Sequence, residues 1–252
     1  MDLARRTLVK VPAVTALFWV TKLLTTAMGE STSDYLVKAI NPFVAVALGT
    51  LLLVGVLAYQ VGTDRYIPWT YWLAVLMVAV VGTMAADVLH KQFGVPYAIS
   101  SLFFAVVLVV VFVAWHRFEG TLSIHSITTT RRELFYWAAV MATFALGTAL
   151  GDYTAKTLGL GYFPSAVLFA VLILVPALCY RSGLMGEVLA FWTAYVLTRP
   201  LGASIADWLG KPKQISGLGL GDGPVSVGFA VLIVICVAAL SRRDARSEHQ
   251  TT

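Results

Sequence analysis

Charged residues are scarce in this chain, and their scarcity excludes an ordinary soluble fold. Only 12% of the 252 residues are charged, against 59% that are hydrophobic, and the mean hydropathy is +0.82. Soluble domains carry roughly 25% charged residues. A soluble fold of this length could not bury so much apolar surface, so we expect the lipid bilayer to cover most of it.

Residues typical of catalysis or cofactor binding are equally scarce. The two cysteines, Cys179 and Cys236, form no CxxC motif, and the four histidines are scattered. No metal-ligand spacing, no Gly-rich nucleotide loop and no nucleophile motif is present. We therefore predict that the protein is not an enzyme and has no cofactor and no nucleic-acid partner. The sequence leaves metal binding and the oligomeric state open.

What the chain does contain is one motif that occurs four times with constant internal spacing. An aromatic residue and Trp are followed after nine residues by Gly, after four more by Asp, and after three more by Lys. Such repeats define an architecture. The copies are Phe18-Trp19-Gly29-Asp34-Lys38, Tyr71-Trp72-Gly82-Asp87-Lys91, Tyr136-Trp137-Gly147-Asp152-Lys156 and Phe191-Trp192-Gly202-Asp207-Lys211.

Eight apolar windows are long enough to span a membrane, which takes roughly 17–25 residues. They lie near 12–37, 42–60, 68–90, 96–115, 134–157, 163–180, 186–209 and 223–240. Each repeat therefore holds one motif helix and one plain helix that lacks charge, in approximate repeats 8–61, 62–116, 130–182 and 183–241, followed by a tail at 241–252. We predict a single all-α integral membrane domain over residues 1–252. Its eight transmembrane helices form four parallel αα-hairpin repeats around a pseudo-symmetry axis along the membrane normal.

The cations predict the orientation. Eleven Lys and Arg residues fall on the side that holds both termini and five on the opposite side. Because cytoplasmic loops carry the excess of Lys and Arg, we place both termini in the cytoplasm. The plain helices, apolar all round, should face lipid. The motif helices should form an inner ring, since polar groups within a bilayer face protein or water.

Each motif position has two interpretations. The glycines let helices approach closely or allow a hinge. The tryptophans anchor the helices at the membrane interface or form an aromatic collar around a pathway. Each Asp pairs with the Lys four residues later, which locks the repeats together, or the four carboxylates converge as an acidic vestibule that attracts cations.

Three ionisable residues break the repeat: Lys22 and Glu30 in the first motif helix and Arg199 in the fourth. In a ring of four, the first and last motif helices are neighbours, so Glu30 could pair with Arg199. Such a pair is either a packing device or a gating or proton-coupling element.

The motif segments FWVTKLLTTAMGESTSDYL, YWAAVMATFALGTALGDYTAK and FWTAYVLTRPLGASIADWLGK carry a family resemblance. The chain resembles, over about residues 8–240, a bacterial membrane-protein family of unknown function. That family has four tandem repeats, each with two transmembrane segments and a characteristic tryptophan. The resemblance implies the fold and a bacterial inner-membrane location, and it implies no activity.

Two functions follow as hypotheses. The first is a small transporter or channel for a cation, either a divalent metal or one exchanged for protons, with the four Asp residues, Glu30, Arg199 and Lys22 along its pathway. The alternative is a non-transporting scaffold or sensor module in which the Asp–Lys pairs are structural.

Overall fold

The computed structural model describes residues 9–249, with side chains described through residue 245, and this part of the chain is helical without any strand. We number nine α-helices. They are α1 Ala16–Ala39, α2 Pro42–Val61, α3 Pro68–Asp87, α4 Tyr97–Glu119, α5 Thr130–Asp152, α6 Tyr162–Leu172, α7 Leu174–Arg181, α8 Glu187–Gly210 and α9 Asp222–His249. The sixth and seventh form one long segment that is interrupted at Ile173. The tail predicted at 241–252 is helical as far as His249, and its last three residues lie outside the described part.

Local sequence explains where several helices begin and end. The side chains of Thr15, Asn41 and Thr129 each accept a hydrogen bond from a backbone N–H in the first turn of the following helix, which satisfies a donor that has no partner within the helix. Prolines occupy the first turns of α2 and α3, where a missing N–H costs nothing. Gly120 ends α4 in the left-handed conformation at φ 70°.

Within the described residues, seven segments are long and apolar enough to cross a membrane. The exception is α1, which is long enough at 24 residues but carries Lys22, Glu30, Asp34 and Lys38. Of the eight predicted spans, seven are therefore confirmed as long and apolar enough to cross a membrane.

Burial separates two layers. The motif helices are α1, α3, α5 and α8, and the plain helices are α2, α4, the α6–α7 segment and α9. Between 56% and 72% of the apolar window is buried in the segments of α3, α5 and α8, against 17% to 28% in the plain helices. Each plain helix packs mainly on the motif helix of the next repeat: α2 on α3, α4 on α5, α6–α7 on α8, and α9 back on α1. The predicted inner and outer layers are present.

The motif glycines make the closest contacts between the inner helices. Each glycine faces the residue that lies three positions before the motif glycine of the next motif helix, and the fourth contact returns to α1. The pairs are Gly29 with Ala79, Gly82 with Phe144, Gly147 with Arg199, and Gly202 with Thr26. A Cβ at these glycines would lie 2.2 to 2.7 Å from the facing side chain. The contacts therefore form a closed cycle that requires glycine at all four positions.

Candidate functional site

The first aromatic residue of each motif contacts the tryptophan of the next motif helix, and again the fourth contact returns to α1. The ring-centroid distances are 5.6 Å for Phe18–Trp72, 5.6 Å for Tyr71–Trp137, 6.1 Å for Tyr136–Trp192 and 5.7 Å for Phe191–Trp19. The hydroxyls of Tyr71 and Tyr136 also share a hydrogen bond. We call this set the aromatic layer. Its four first residues, rather than the tryptophans alone, fill the space between the motif helices.

The predicted collar of tryptophans is thus part of a packed layer and not the rim of an opening. Trp72, Trp137 and Trp192 are at most 4% exposed. Of the four motif tryptophans only Trp19 is half-buried. The motif does not predict this difference between the copies.

Lys22 lies between the aromatic layer and the centre of the bundle. Its side chain is 1% exposed. The ammonium lies 4.2 Å from the ring centroid of Phe144 and 4.1 Å from that of Tyr195, and it donates a 3.4 Å hydrogen bond to the hydroxyl of Thr26. Ring faces attract cations, so these contacts take the place of a counter-ion. No carboxylate among the described side chains forms an ion pair with Lys22.

Arg199 occupies the centre of the bundle and contacts all three other motif helices. Its side chain is 0% exposed. On α5 it donates to the carbonyl oxygen of Phe144 (3.3 Å) and the hydroxyl of Thr148 (2.7 Å). On α1 it donates to the carbonyl oxygen of Thr26 (3.0 Å) and the carboxylate of Glu30 (2.8 Å). On α3 it donates to the hydroxyl of Thr83. Because a guanidinium is planar and always charged, it can hold such a set of acceptors together.

Glu30 completes this centre. Besides the ion pair with Arg199, its Oε2 atom accepts hydrogen bonds from Thr83 (3.2 Å) and Thr148 (3.3 Å). The pairing of Glu30 with Arg199 proposed from the sequence is therefore present, and one side chain from each motif helix takes part.

At the opposite end from the aromatic layer, the Asp–Lys pairs form in three of the four copies. Asp87–Lys91 measures 2.8 Å, Asp152–Lys156 2.7 Å and Asp207–Lys211 3.4 Å. The first copy differs, because Lys38 binds Asp222 at the start of α9 instead of Asp34. The predicted Asp34–Lys38 pair was wrong, since α9 returns across α1 and offers a nearer carboxylate.

Asp34 instead binds the lysines that follow two other motif helices, α3 and α8. It pairs with Lys211, and with Lys91 at 3.4 Å. Lys211 follows the last residue of α8 and also lies 3.4 Å from Asp222. Burial acts to lower the pKa of Lys211, but Asp207, Asp34 and Asp222 outweigh it, so the pKa is raised and the ammonium stays charged.

The acidic side chains do not line an open vestibule in this structure. The four motif carboxylates are between 3% and 6% exposed. Oxygens of Glu30, Asp34 and Asp207 all lie within 4.8 Å of one another, and we call these three residues the carboxylate cluster. Oxygen ligands at such spacing suit a hard cation or a shared proton.

Two members of this network escaped the sequence reasoning. Thr83 was missed although it directly follows its motif glycine, as Glu30 and Thr148 follow theirs. A comparison of that one position across the four copies would have found it. Asp222 was missed because it lies outside the motif, after a Gly-rich loop.

A buried group at the aromatic end was missed as well. Glu133 is 1% exposed and pairs with Lys10 at 2.9 Å. It also accepts hydrogen bonds from Gln60 and from the indole of Trp137. The signal was a lone Glu one turn before a motif tryptophan.

These features define an all-helical bundle of four similar two-helix units, with apolar plain helices outside and buried charges inside. The chain belongs to the DUF347 family, a repeat of unknown function, whose family model matches residues 17–66, 70–121, 135–182 and 190–246. No curated protein and no solved structure matches the chain.

Proposed function

We propose that this protein is a multi-pass membrane carrier for a small cation. The observation that carries this proposal is the carboxylate cluster of Glu30, Asp34 and Asp207, buried beside the central Arg199. Charges inside an apolar bundle are costly. Three carboxylates converging at one point are more than is needed to join helices that already pack through glycines and aromatic rings.

Membrane placement is the first step of the proposal. The plain helices present large exposed apolar side chains over most of their length, which suits contact with acyl chains. The bundle then spans the bacterial inner membrane, with its four hairpin repeats arranged around a pseudo-symmetry axis along the membrane normal. The aromatic layer lies toward the cytoplasm with both termini, and the carboxylate cluster lies toward the outer side.

The centre of the bundle favours a carrier over an open channel. Arg199 bridges all four motif helices at full burial, and the aromatic layer fills the bundle nearer the cytoplasm. A cation that reaches the carboxylate cluster from outside meets both obstacles. Passage therefore requires that the Arg199–Glu30 pair separate and that the aromatic residues move, as in alternating access.

The charge balance favours a monovalent cation or a proton over a divalent metal. The network around the cluster holds five carboxylates and four cationic groups, so its net charge is −1 when all of these groups are ionised. The carboxylates belong to Glu30, Asp34, Asp87, Asp207 and Asp222, and the cations to Lys38, Lys91, Lys211 and Arg199. Asp152 and Lys156 pair with each other, and among the described side chains they share no ion pair with this network.

Flux in liposomes tests the proposal. We would reconstitute the purified protein, impose gradients of Na⁺, K⁺, Mn²⁺ or protons, and follow each ion with an indicator. We expect the Asp34→Asn and Asp207→Asn variants to lose at least about tenfold in rate, the effect of roughly 1.4 kcal/mol on a barrier. Asp152→Asn is the matched control, because it makes the same change at the same motif position outside the cluster. Wild-type protein that moves none of these ions, or cluster variants as active as the control, would refute the carrier.

A non-transporting scaffold or sensor module is the second candidate, and it is favoured by the fact that each motif Asp already has a lysine partner. In that case Asp207→Asn would lower the melting temperature in detergent, and no tested cation would change the melting temperature of the wild type. A melting temperature that rises with cation concentration only when the cluster is intact favours the carrier, since a ligand that binds the folded state stabilises it.

A further inference from the structure

One plain helix is built differently from the other three. The α6–α7 segment is interrupted at Ile173, and Pro176 lies just beyond the interruption. Because proline has no N–H, Pro176 cannot donate to the carbonyl of Leu172, four residues earlier. The remaining plain helices have proline only in or just before the first turn.

The motif tryptophans also differ in what packs against them. Trp192 packs against Phe112 and Trp115 of α4, at ring-centroid distances of 4.9 Å and 5.7 Å. Two further plain helices contact a motif helix two repeats away: α9 contacts α3 and α2 contacts α5. These motif helices carry the buried Trp72 and Trp137. The corresponding cover for Trp19 would come from α7, but a cavity of about 590 Å³ separates them.

This cavity is apolar along its length and polar at one end. Its walls include Trp19 and Leu23 from α1, Pro176 from α7, and Ala194 and Leu201 from α8. At the polar end His125 and Glu187 form a 3.1 Å contact. The volume lies within the range of about 300–1,000 Å³ that is usual for small-molecule sites.

We propose that this cavity binds one acyl chain of a bilayer phospholipid, which covers Trp19 in place of the missing helix contact. The cavity is partly open, and the surface of α7 beside it exposes Leu174 and Leu178, 55% and 65% accessible. Where such a surface lies in a membrane, hydrocarbon is what enters an apolar space continuous with it. The His125–Glu187 contact then lies where the headgroup leaves the cavity.

The bound chain has a structural consequence for the aromatic layer. Trp19 contacts Phe191 at 5.7 Å, so an acyl chain against Trp19 supports this contact of the aromatic layer. The inference rests on the membrane placement proposed above and does not rest on transport.

Photolabelling in vesicles tests the inference. The protein is reconstituted in phosphatidylglycerol that carries a diazirine in its acyl chain, irradiated, digested and mapped by mass spectrometry. We expect stronger labelling of the cavity walls at Trp19, Leu23 and Ala194 than of Leu51, a fully peripheral residue of α2 that is 70% exposed. Ala194→Phe, which fills the cavity, should reduce the wall labelling about tenfold, because displacing even about two buried methylene groups costs that much affinity.

The Leu51 signal separates the possible failures. Labelled Leu51 with weaker labelling of the walls, or wall labelling unchanged in Ala194→Phe and in a second filling variant, Ala177→Phe, overturns the acyl-chain site alone. Wall labelling by a diazirine-bearing free fatty acid but not by the phospholipid overturns it too. An unlabelled Leu51 would refute the membrane placement itself.

Discussion

Motif helices α1 and α8 differ from α3 and α5 at three matched positions. Where α1 has Lys22, α3 and α5 have Val75 and Val140. Where α8 has Arg199, they have Ala79 and Phe144, and where α1 has Glu30, they have Thr83 and Thr148. At these three positions one pair of helices therefore carries buried charges, and the other pair carries apolar groups and hydroxyls.

This difference distinguishes the contacts that hold the helices together from the buried charges added to them. The aromatic contacts, the glycine contacts and an Asp–Lys pair all occur between or within α3 and α5 without help from any central charge. The interface between α3 and α5 therefore forms without the charges that α1 and α8 carry. Because burying them is costly, function is the better reason for their presence.

The largest expected effect comes from removing the charge of Arg199, compared with removing a hydroxyl from the same centre. Arg199→Met leaves the Glu30 carboxylate buried without its cation, and breaking a buried pair in this way costs about 3–5 kcal/mol. Thr148→Val removes a hydroxyl from the same centre and should cost about 1–3 kcal/mol. Thermal and denaturant unfolding in detergent would measure both.

The double variant Glu30→Gln with Arg199→Met supplies the control for this prediction. It removes the unpaired charge, so it should be more stable than Arg199→Met alone. Equal losses for Arg199→Met and Thr148→Val would show that the guanidinium contributes no more than a hydroxyl, and the distinction between the two pairs of helices would fail.

Much of the architecture could be predicted because the motif repeats at constant spacing. The spacing of Trp, Gly and Asp along one helix sets their heights and faces, and the neutrality of the plain helices assigns them to the outside. A closed ring of four makes the first and fourth motif helices adjacent, and this adjacency predicts the pair of Glu30 with Arg199.

The parts that could not be predicted depend on which side chains meet between distant segments. Asp34 binds Lys211, 177 residues away, because α8 ends beside α1. Lys38 reaches Asp222 because α9 returns across α1. Spacing along one helix fixes neither contact. The π-helical turns Val88–Gln92 and Tyr153–Thr157, which end the second and third motif helices, also leave no mark in the motif.

The glycine contacts should show no difference between the two pairs of helices. A Cβ at Gly29 would lie 2.3 Å from that of Ala79, and one at Gly82 would lie 2.7 Å from that of Phe144. Overpacking of this kind costs about 1–3 kcal/mol, so Gly29→Ala and Gly82→Ala should lower stability by similar amounts. Gly55 of α2 has nothing within 4 Å of its added Cβ, and Gly55→Ala should be neutral or stabilise by up to about 1 kcal/mol. A large loss in only one of the two motif variants would mean that the helices do not share one mode of packing.

The smallest effect should come from the lysine of the first motif. Lys38 is 61% exposed at its side chain and binds Asp222 alone, whereas Lys211 is 10% exposed and contacts three carboxylates. A pair with an exposed cation contributes about 0–1 kcal/mol and is screened by salt. Asp222 also keeps Lys211 as a partner, so Lys38→Met should change the melting temperature little. Lys211→Met should lower it clearly, because three carboxylates lose their shared cation. We would measure the melting temperatures of both variants at low and high salt, which compares the same motif position in two environments. Equal losses would mean that position in the repeat, and not burial or the number of partners, decides what a motif lysine contributes.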